Sequence, residues 1–237
     1  MSSKLILGAA LGVVILTGAT AFAQAAPAGD AYERAGTNEA PKGTSTTATP
    51  AERLKTSGDL VAIARETKDP LAMITAARIR ASVSTTDKER TKVETGSPTD
   101  TTKTAGAALT VDQILAEATA LAKGDKVILA MIADVKASAS KGRVGGPGRS
   151  TTIVRANAVD SFTETFRGAE RAAVYVEGDG DTDLDLFVYD ENGNMVCSDT
   201  DGTDRMICAW TPRWTGNFTI RVRNWGGVYN QYSIVTN

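Results

Sequence analysis

The amino-acid sequence predicts an α + β multidomain chain, a small helical-hairpin region followed by an antiparallel, jelly-roll-like β-sandwich. Three observations point there. Between residues 50 and 137 apolar side chains recur at helical spacing. From Ser161 onward they alternate at period two. Around both blocks lie stretches of Ala, Pro, Gly, Ser and Thr that bury too little apolar surface to offset chain entropy.

Residues 1–23 read as a signal peptide. Lys4 supplies the positive start, an apolar run of small and branched residues follows, and Ala21-Phe22-Ala23 fits the small-x-small cleavage rule. Residues 24–49 read as a disordered linker. The expected location is therefore periplasmic or secreted, with no membrane span once the signal is removed.

Thr49, Pro50 and Glu52 form a capping-box signature that opens a helix. Leu60, Ile63 and Ala64 carry its apolar stripe. Asp69-Pro70 ends that helix and caps the next, with Leu71, Ile74 and Ala77 in its stripe. A second hairpin starts at Thr110 with Gln113 as box partner, breaks at Gly124-Asp125, and continues through Ile128, Leu129, Ile132 and Val135. The two hairpins match at an offset of 56 residues, Asp69 on Asp125 and Ala77 on Ala133, which reads as a duplicated helical pair. Neither pair can bury its stripe alone, so the two are expected to pack together as a four-helix unit or to dock on a partner. Residues 83–106 and 138–156 are expected to be a disordered linker and a Gly-rich linker, leaving 157–237 as the sandwich.

Seven strands are expected there, at 161–167, 171–177, 183–189, 194–198, 206–211, 217–224 and 229–236. Turn residues punctuate them at Gly178-Asp179-Gly180, Asn192-Gly193, Gly202 and Gly226-Gly227. Cys197 and Cys208 are the chain's two cysteines. An even pair in an exported protein suggests a disulfide, placed here at the ends of an expected hairpin.

The runs Phe166-Arg167-Gly168, Gly178-Asp179-Gly180-Asp181-Thr182-Asp183-Leu184-Asp185-Leu186-Phe187-Val188-Tyr189-Asp190, Asn192-Gly193-Asn194, Trp210-Thr211-Pro212 and Thr215-Gly216-Asn217-Phe218 resemble the bacterial pre-peptidase C-terminal domain. The likeness covers about residues 161–237. It implies a small jelly-roll sandwich found in secreted proteins, associated with secretion, stability or binding of substrates and cell-surface polymers. Some members bind calcium through acidic loops.

Composition narrows the chemistry. The chain holds no histidine, which removes the usual general base and a common zinc ligand. The net charge is -2, and residues 157–237 carry six arginines, no lysine and thirteen acids, so nucleic acid is not an expected partner. Asp179, Asp181, Asp183 and Asp185 fall at alternate positions, with Asp199 and Asp201 on the neighbouring turn. Two readings stand here. The six carboxylates could contribute to a calcium shell, which needs six to eight oxygens, or they could cap turns and face water. Trp214 and Trp225 lie beside turns and could stack on a sugar.

The expected function is that of an exported, non-catalytic binding or accessory protein with an envelope or extracellular protein or polysaccharide partner. The alternatives are an accessory or inhibitory subunit of a secreted hydrolase and a calcium-dependent carbohydrate-binding module.

Overall fold

A computed structural model describes residues 34–41, 43, 47–99, 103, 106, 109–139 and 145–237. The expected signal peptide and most of the expected first linker lie outside these residues.

Among the described residues four helices form as their caps dictate. Helix α1 (Pro50–Thr67) opens on Thr49, whose hydroxyl accepts from the Glu52 N–H while the Glu52 carboxylate accepts from the Thr49 N–H. It ends at Lys68, which adopts a left-handed φ of 58°. Helix α2 (Pro70–Ala81) is capped by Asp69, which accepts from the N–H groups of Leu71 and Ala72 at 2.8 and 3.2 Å. Helix α3 (Val111–Ala122) repeats the box with Thr110 and Gln113. Helix α4 (Lys126–Ala139) repeats the aspartate cap, with Asp125 accepting from Val127 and Ile128 at 2.8 and 3.2 Å. The two hairpins thus share their caps as well as their pattern. They share one core, in which Val61, Met73, Ile74, Ile114, Ala118 and Val135 are buried. Ile63 and Leu71, expected in the stripes, face outward, about half exposed.

Among the described residues the sandwich holds ten strands in two sheets, numbered in chain order as β1 (Thr86–Asp87), β2 (Val93–Thr99), β3 (Gly148–Val154), β4 (Ala156–Phe166), β5 (Ala172–Glu177), β6 (Leu184–Tyr189), β7 (Met195–Asp199), β8 (Arg205–Trp210), β9 (Gly216–Asn224) and β10 (Asn230–Thr236). Sheet A has the order β1-β3-β10-β5-β8 and sheet B the order β2-β4-β9-β6-β7. Seven strands lie within a few residues of their expected places at most: β4 (Ala156–Phe166), β5 (Ala172–Glu177), β6 (Leu184–Tyr189), β7 (Met195–Asp199), β8 (Arg205–Trp210), β9 (Gly216–Asn224) and β10 (Asn230–Thr236). Strand β4 starts five residues earlier than its period-two pattern begins. Every pairing is antiparallel except β1 with β3. The sheets enclose a core of Phe162, Phe166, Val174, Leu186, Trp210, Phe218, Ile220, Tyr232 and their neighbours. Phe166, Trp210 and Phe218 meet with ring centroids 4.9 to 5.7 Å apart, two of the three pairs edge to face.

The expected linkers are corrected by three further strands. Within 83–106 lie β1 (Thr86–Asp87) and β2 (Val93–Thr99), and within 138–156 lies β3 (Gly148–Val154). Strand β2 pairs with β4, and β3 pairs with β10 over its whole length. Their Thr, Ser and charged residues show no apolar alternation because both run toward sheet margins, where ladder hydrogen bonds supply the order that side-chain burial does not. The first linker is also partly ordered. Asn38 is fully buried, its main-chain N–H donates to Asp190 and its side-chain amide oxygen Oδ1 accepts from the N–H groups of Arg213 and Trp214.

The helices do not stand apart on a tether, because residues 34–237 form one compact unit. Helix α1 lies on the outer face of sheet A, where Ala51 and Leu54 pack on Ala173, Tyr175 and Val235. Gly58 permits the close approach: a Cβ there would stand 2.9 Å from the Tyr175 hydroxyl and from Arg205 Cδ. Residues 34–237 are thus three layers deep: helices, sheet A, sheet B.

Cys197 and Cys208 form a disulfide. They do not lie on one hairpin. Cys197 belongs to β7 in sheet B and Cys208 to β8 in sheet A, so the bond staples the two sheets together.

Candidate functional site

The outer face of sheet A is occupied by the chain itself. Arg80 of α2 reaches down to Glu177 of β5, making a bidentate pair at 2.6 and 2.9 Å. Both side chains are at most 9 % exposed. The Tyr175 hydroxyl donates to the same carboxylate, and Arg80 also donates to Ser57 and to the Leu109 carbonyl. Burial first, and then the Glu177 charge, pushes the Tyr175 hydroxyl far above its ordinary value. A cleft of about 560 Å³ runs beside this network, lined by Leu54, Leu109, Arg149 and Val235 among others. With every polar group of the pair engaged, the network is a joint between layers.

The outer face of sheet B is open. Register places Asp185 beside Arg223, Phe187 beside Arg221 and Tyr189 beside Thr219, all on one face. Val159, Ser161 and Thr163 of β4 and Val93 and Thr95 of β2 extend it. Of these only Asp185 is buried. The strand residues of this face include no lysine and no glutamate.

Its aromatic side chains are held in place. The Trp225 indole N–H donates to Asp185, and the Arg223 guanidinium carbon lies 3.2 Å from the centre of its ring. Trp225 is nevertheless 50 % exposed. Arg221 lies 4.8 Å from the centre of the Tyr189 ring. Such cation–π contacts fix both partners and cost the free surface little mobility on binding.

The other expected site residues fare differently. Trp214 is half-buried, its indole N–H donates to Glu191, and its main chain is held by Asn38, so it braces loops and offers no free platform. The six aspartates do not converge. Asp179 and Asp181 both accept from Lys103. Asp183 is exposed, Asp185 serves Trp225, Asp199 accepts from the Ile207 N–H and Asp201 from Thr203. Among the described residues no three acidic or thiol groups come together in a way that could hold a metal ion. Burial lifts Asp183 and Asp199, with neighbouring aspartates adding to the rise.

Lys103 and Asn38 were invisible to sequence reasoning, since each acts through partners more than seventy residues away. The Arg221 and Arg223 positions did carry a signal, the charged face of an alternating strand.

No helix of the described residues is long and apolar enough to cross a membrane. No protein-family profile matches the chain, and no curated protein matches it. Solved structures do. One is a pre-peptidase C-terminal domain of a collagenase from Bacillus anthracis, 11 % identical over 38 % of this chain and 89 % of that one, with a TM-score of 0.30. Another is the Aeromonas hydrophila PliG, a periplasmic lysozyme inhibitor of g-type lysozyme, 12 % identical over 38 % and 86 %, with a TM-score of 0.27. A de novo designed double-stranded β-helix matches at 11 % identity over 38 % and 97 %, with a TM-score of 0.25. The family resembled by residues 161–237 is thus among the neighbours, and at these values the likenesses carry no argument about what the chain does.

Proposed function

We propose that this chain is a non-catalytic binding protein of the envelope or extracellular space, which engages a protein partner through the open face of sheet B. The observation that carries the reading is the composition of that face. Aromatic side chains, arginine and methionine are enriched in protein interfaces while lysine and glutamate are depleted. Here Trp225, Tyr189, Phe187, Arg221, Arg223 and Met195 share a face whose strands hold neither lysine nor glutamate. The pinned indole and phenol rings add preorganisation. The disulfide and the expected signal peptide support an oxidising compartment. The absence of histidine supports a role without catalysis.

A photo-crosslinking residue placed at Tyr189 in the producing cell tests this. The expected result is a crosslink to another polypeptide, absent when the same residue replaces Glu66 on the helical layer. Crosslinks of equal strength at both positions, or none at Tyr189, would reject the reading. A secreted hydrolase as the captured partner would specify an accessory or inhibitory subunit. A glycan reading has one observation in its favour, the exposed Trp225 ring. Retention on insoluble polysaccharide, lost in Trp225→Ala, would put it in place of the protein partner. Hydrolytic activity in the purified chain would defeat both.

A further inference from the structure

We infer that the acidic loop at one end of the sandwich carries its own cation, the ammonium group of Lys103, in the place where the sandwich family would lead one to expect calcium, and that the fold is therefore indifferent to divalent cations. Lys103 Nζ donates to Asp179 Oδ2 at 2.7 Å and to Asp181 Oδ2. The same ammonium sits 4.6 Å from the centre of the Tyr229 ring, and the Tyr229 hydroxyl donates back to the Lys103 carbonyl at 2.9 Å. The side chains of Lys103 and Asp179 are 12 % and 1 % exposed. Gly106 closes the same contact, because a Cβ there would fall 2.2 Å from Asp179 Cβ. Lys103 and Gly106 thus both lie against the Asp179 loop.

The remaining carboxylates do not converge on a metal position: among the described residues no three acidic groups come together to hold one. Calcium requires six to eight oxygens at about 2.3–2.6 Å. The carboxylates of Asp185, Asp199, Asp201 and Asp204 are bonded to Trp225, Ile207, Thr203 and Gly180 respectively. A divalent ion at Asp179 and Asp181 would have to expel the lysine first. The two carboxylates also act on each other. Burial opposes the shift at Asp179, but hydrogen bonds with Asp181 and Lys103 draw it down, while burial and Asp179 push Asp181 up.

Thermal melting of the full chain tests this, in calcium chloride and in EDTA. The wild type is expected to melt at the same temperature in both, and calorimetric titration with calcium to give no saturable heat. Lys103→Met is expected to melt lower by roughly 2–6 °C in EDTA, a shift that is easily read for a chain this size. Adding Asp181→Asn to it should recover part of the loss, because one of the two opposed carboxylates is then neutral. A saturable calcium-dependent rise in the wild-type melting temperature would overturn the inference. So would a Lys103→Met chain that melts with the wild type. If that variant fails to fold, the wild-type titration decides alone.

Discussion

Sheets A and B contain five strands each and share one core, yet their outer faces meet different surroundings. Sheet A is roofed by α1 and α2. Its outward residues Tyr175 and Glu177 are buried, and the roof is fastened by an ion pair. Sheet B keeps its outward residues other than Asp185 at least partly exposed and fastens several of them to one another, ring to guanidinium and indole to carboxylate. The contrast teaches that an outward strand position has no inherent role. What lies above the sheet decides whether a charged residue there is a joint or a contact.

The largest expected effect lies on the roofed side. Arg80→Met leaves the Glu177 carboxylate buried without its partner, and breaking a buried pair costs about 3–5 kcal/mol. Urea unfolding should record that loss, and the double variant Arg80→Met, Glu177→Leu should lose less than the single one. A single variant as stable as the wild type would mean that apolar packing alone holds the roof.

Next comes the staple between the sheets. Replacing Cys197 and Cys208 together by alanine should cost about 2–3 kcal/mol, from the freedom restored to the unfolded chain. Retained stability would show that the core of the sandwich needs no covalent help.

A third effect is in pH. Asp160 of β4 is fully buried between the sheets, bonded to Lys92 at 2.9 Å and to the Tyr232 hydroxyl at 2.8 Å. Burial raises its carboxyl above the ordinary value, while Lys92 and Tyr232 pull the other way and Glu94 adds to the rise. The folded chain therefore holds the proton more tightly than the unfolded chain. Stability from this group is greatest below the ordinary carboxylate range near 3.9 and is lost as pH climbs through the raised folded value. Each unit of elevation is worth about 1.4 kcal/mol. Asp204, also raised by burial, acts in the same direction. In a pH series that starts below the ordinary carboxylate range, this group's contribution is expected to fall as pH climbs out of that range, and Asp160→Asn to flatten that part of the slope. An unchanged slope in the variant would place the proton elsewhere.

The smallest effect is expected on the open side. Trp225→Ala or Arg221→Glu should change folding stability by about 0.5 kcal/mol, rising to 1 for the tryptophan, since both are surface positions. The same variants should weaken the crosslink at Tyr189. A large loss of stability would mean that this face is structural, and the difference between the sheets would shrink.

How much of this was legible in the sequence follows from the reach of each signal. Caps act over three or four residues, so Thr49 with Glu52, Thr110 with Gln113, Asp69 and Asp125 could all be read directly. Period-two alternation acts along one strand and located seven of the ten. The cysteine pair was legible from number and compartment, although its placement across two sheets was not.

The sequence by itself determined the four helices, seven of the strands and their turns, because those rest on neighbours in the chain. Only the tertiary structure decided that β2 and β3 are strands, that Lys103 seats itself among the aspartates, and that Arg80 crosses to Glu177. Each of these depends on a partner brought near by folding, 29 to 97 residues from its own position along the chain at the pairs named here for Arg80, and no local pattern records which side chain will arrive.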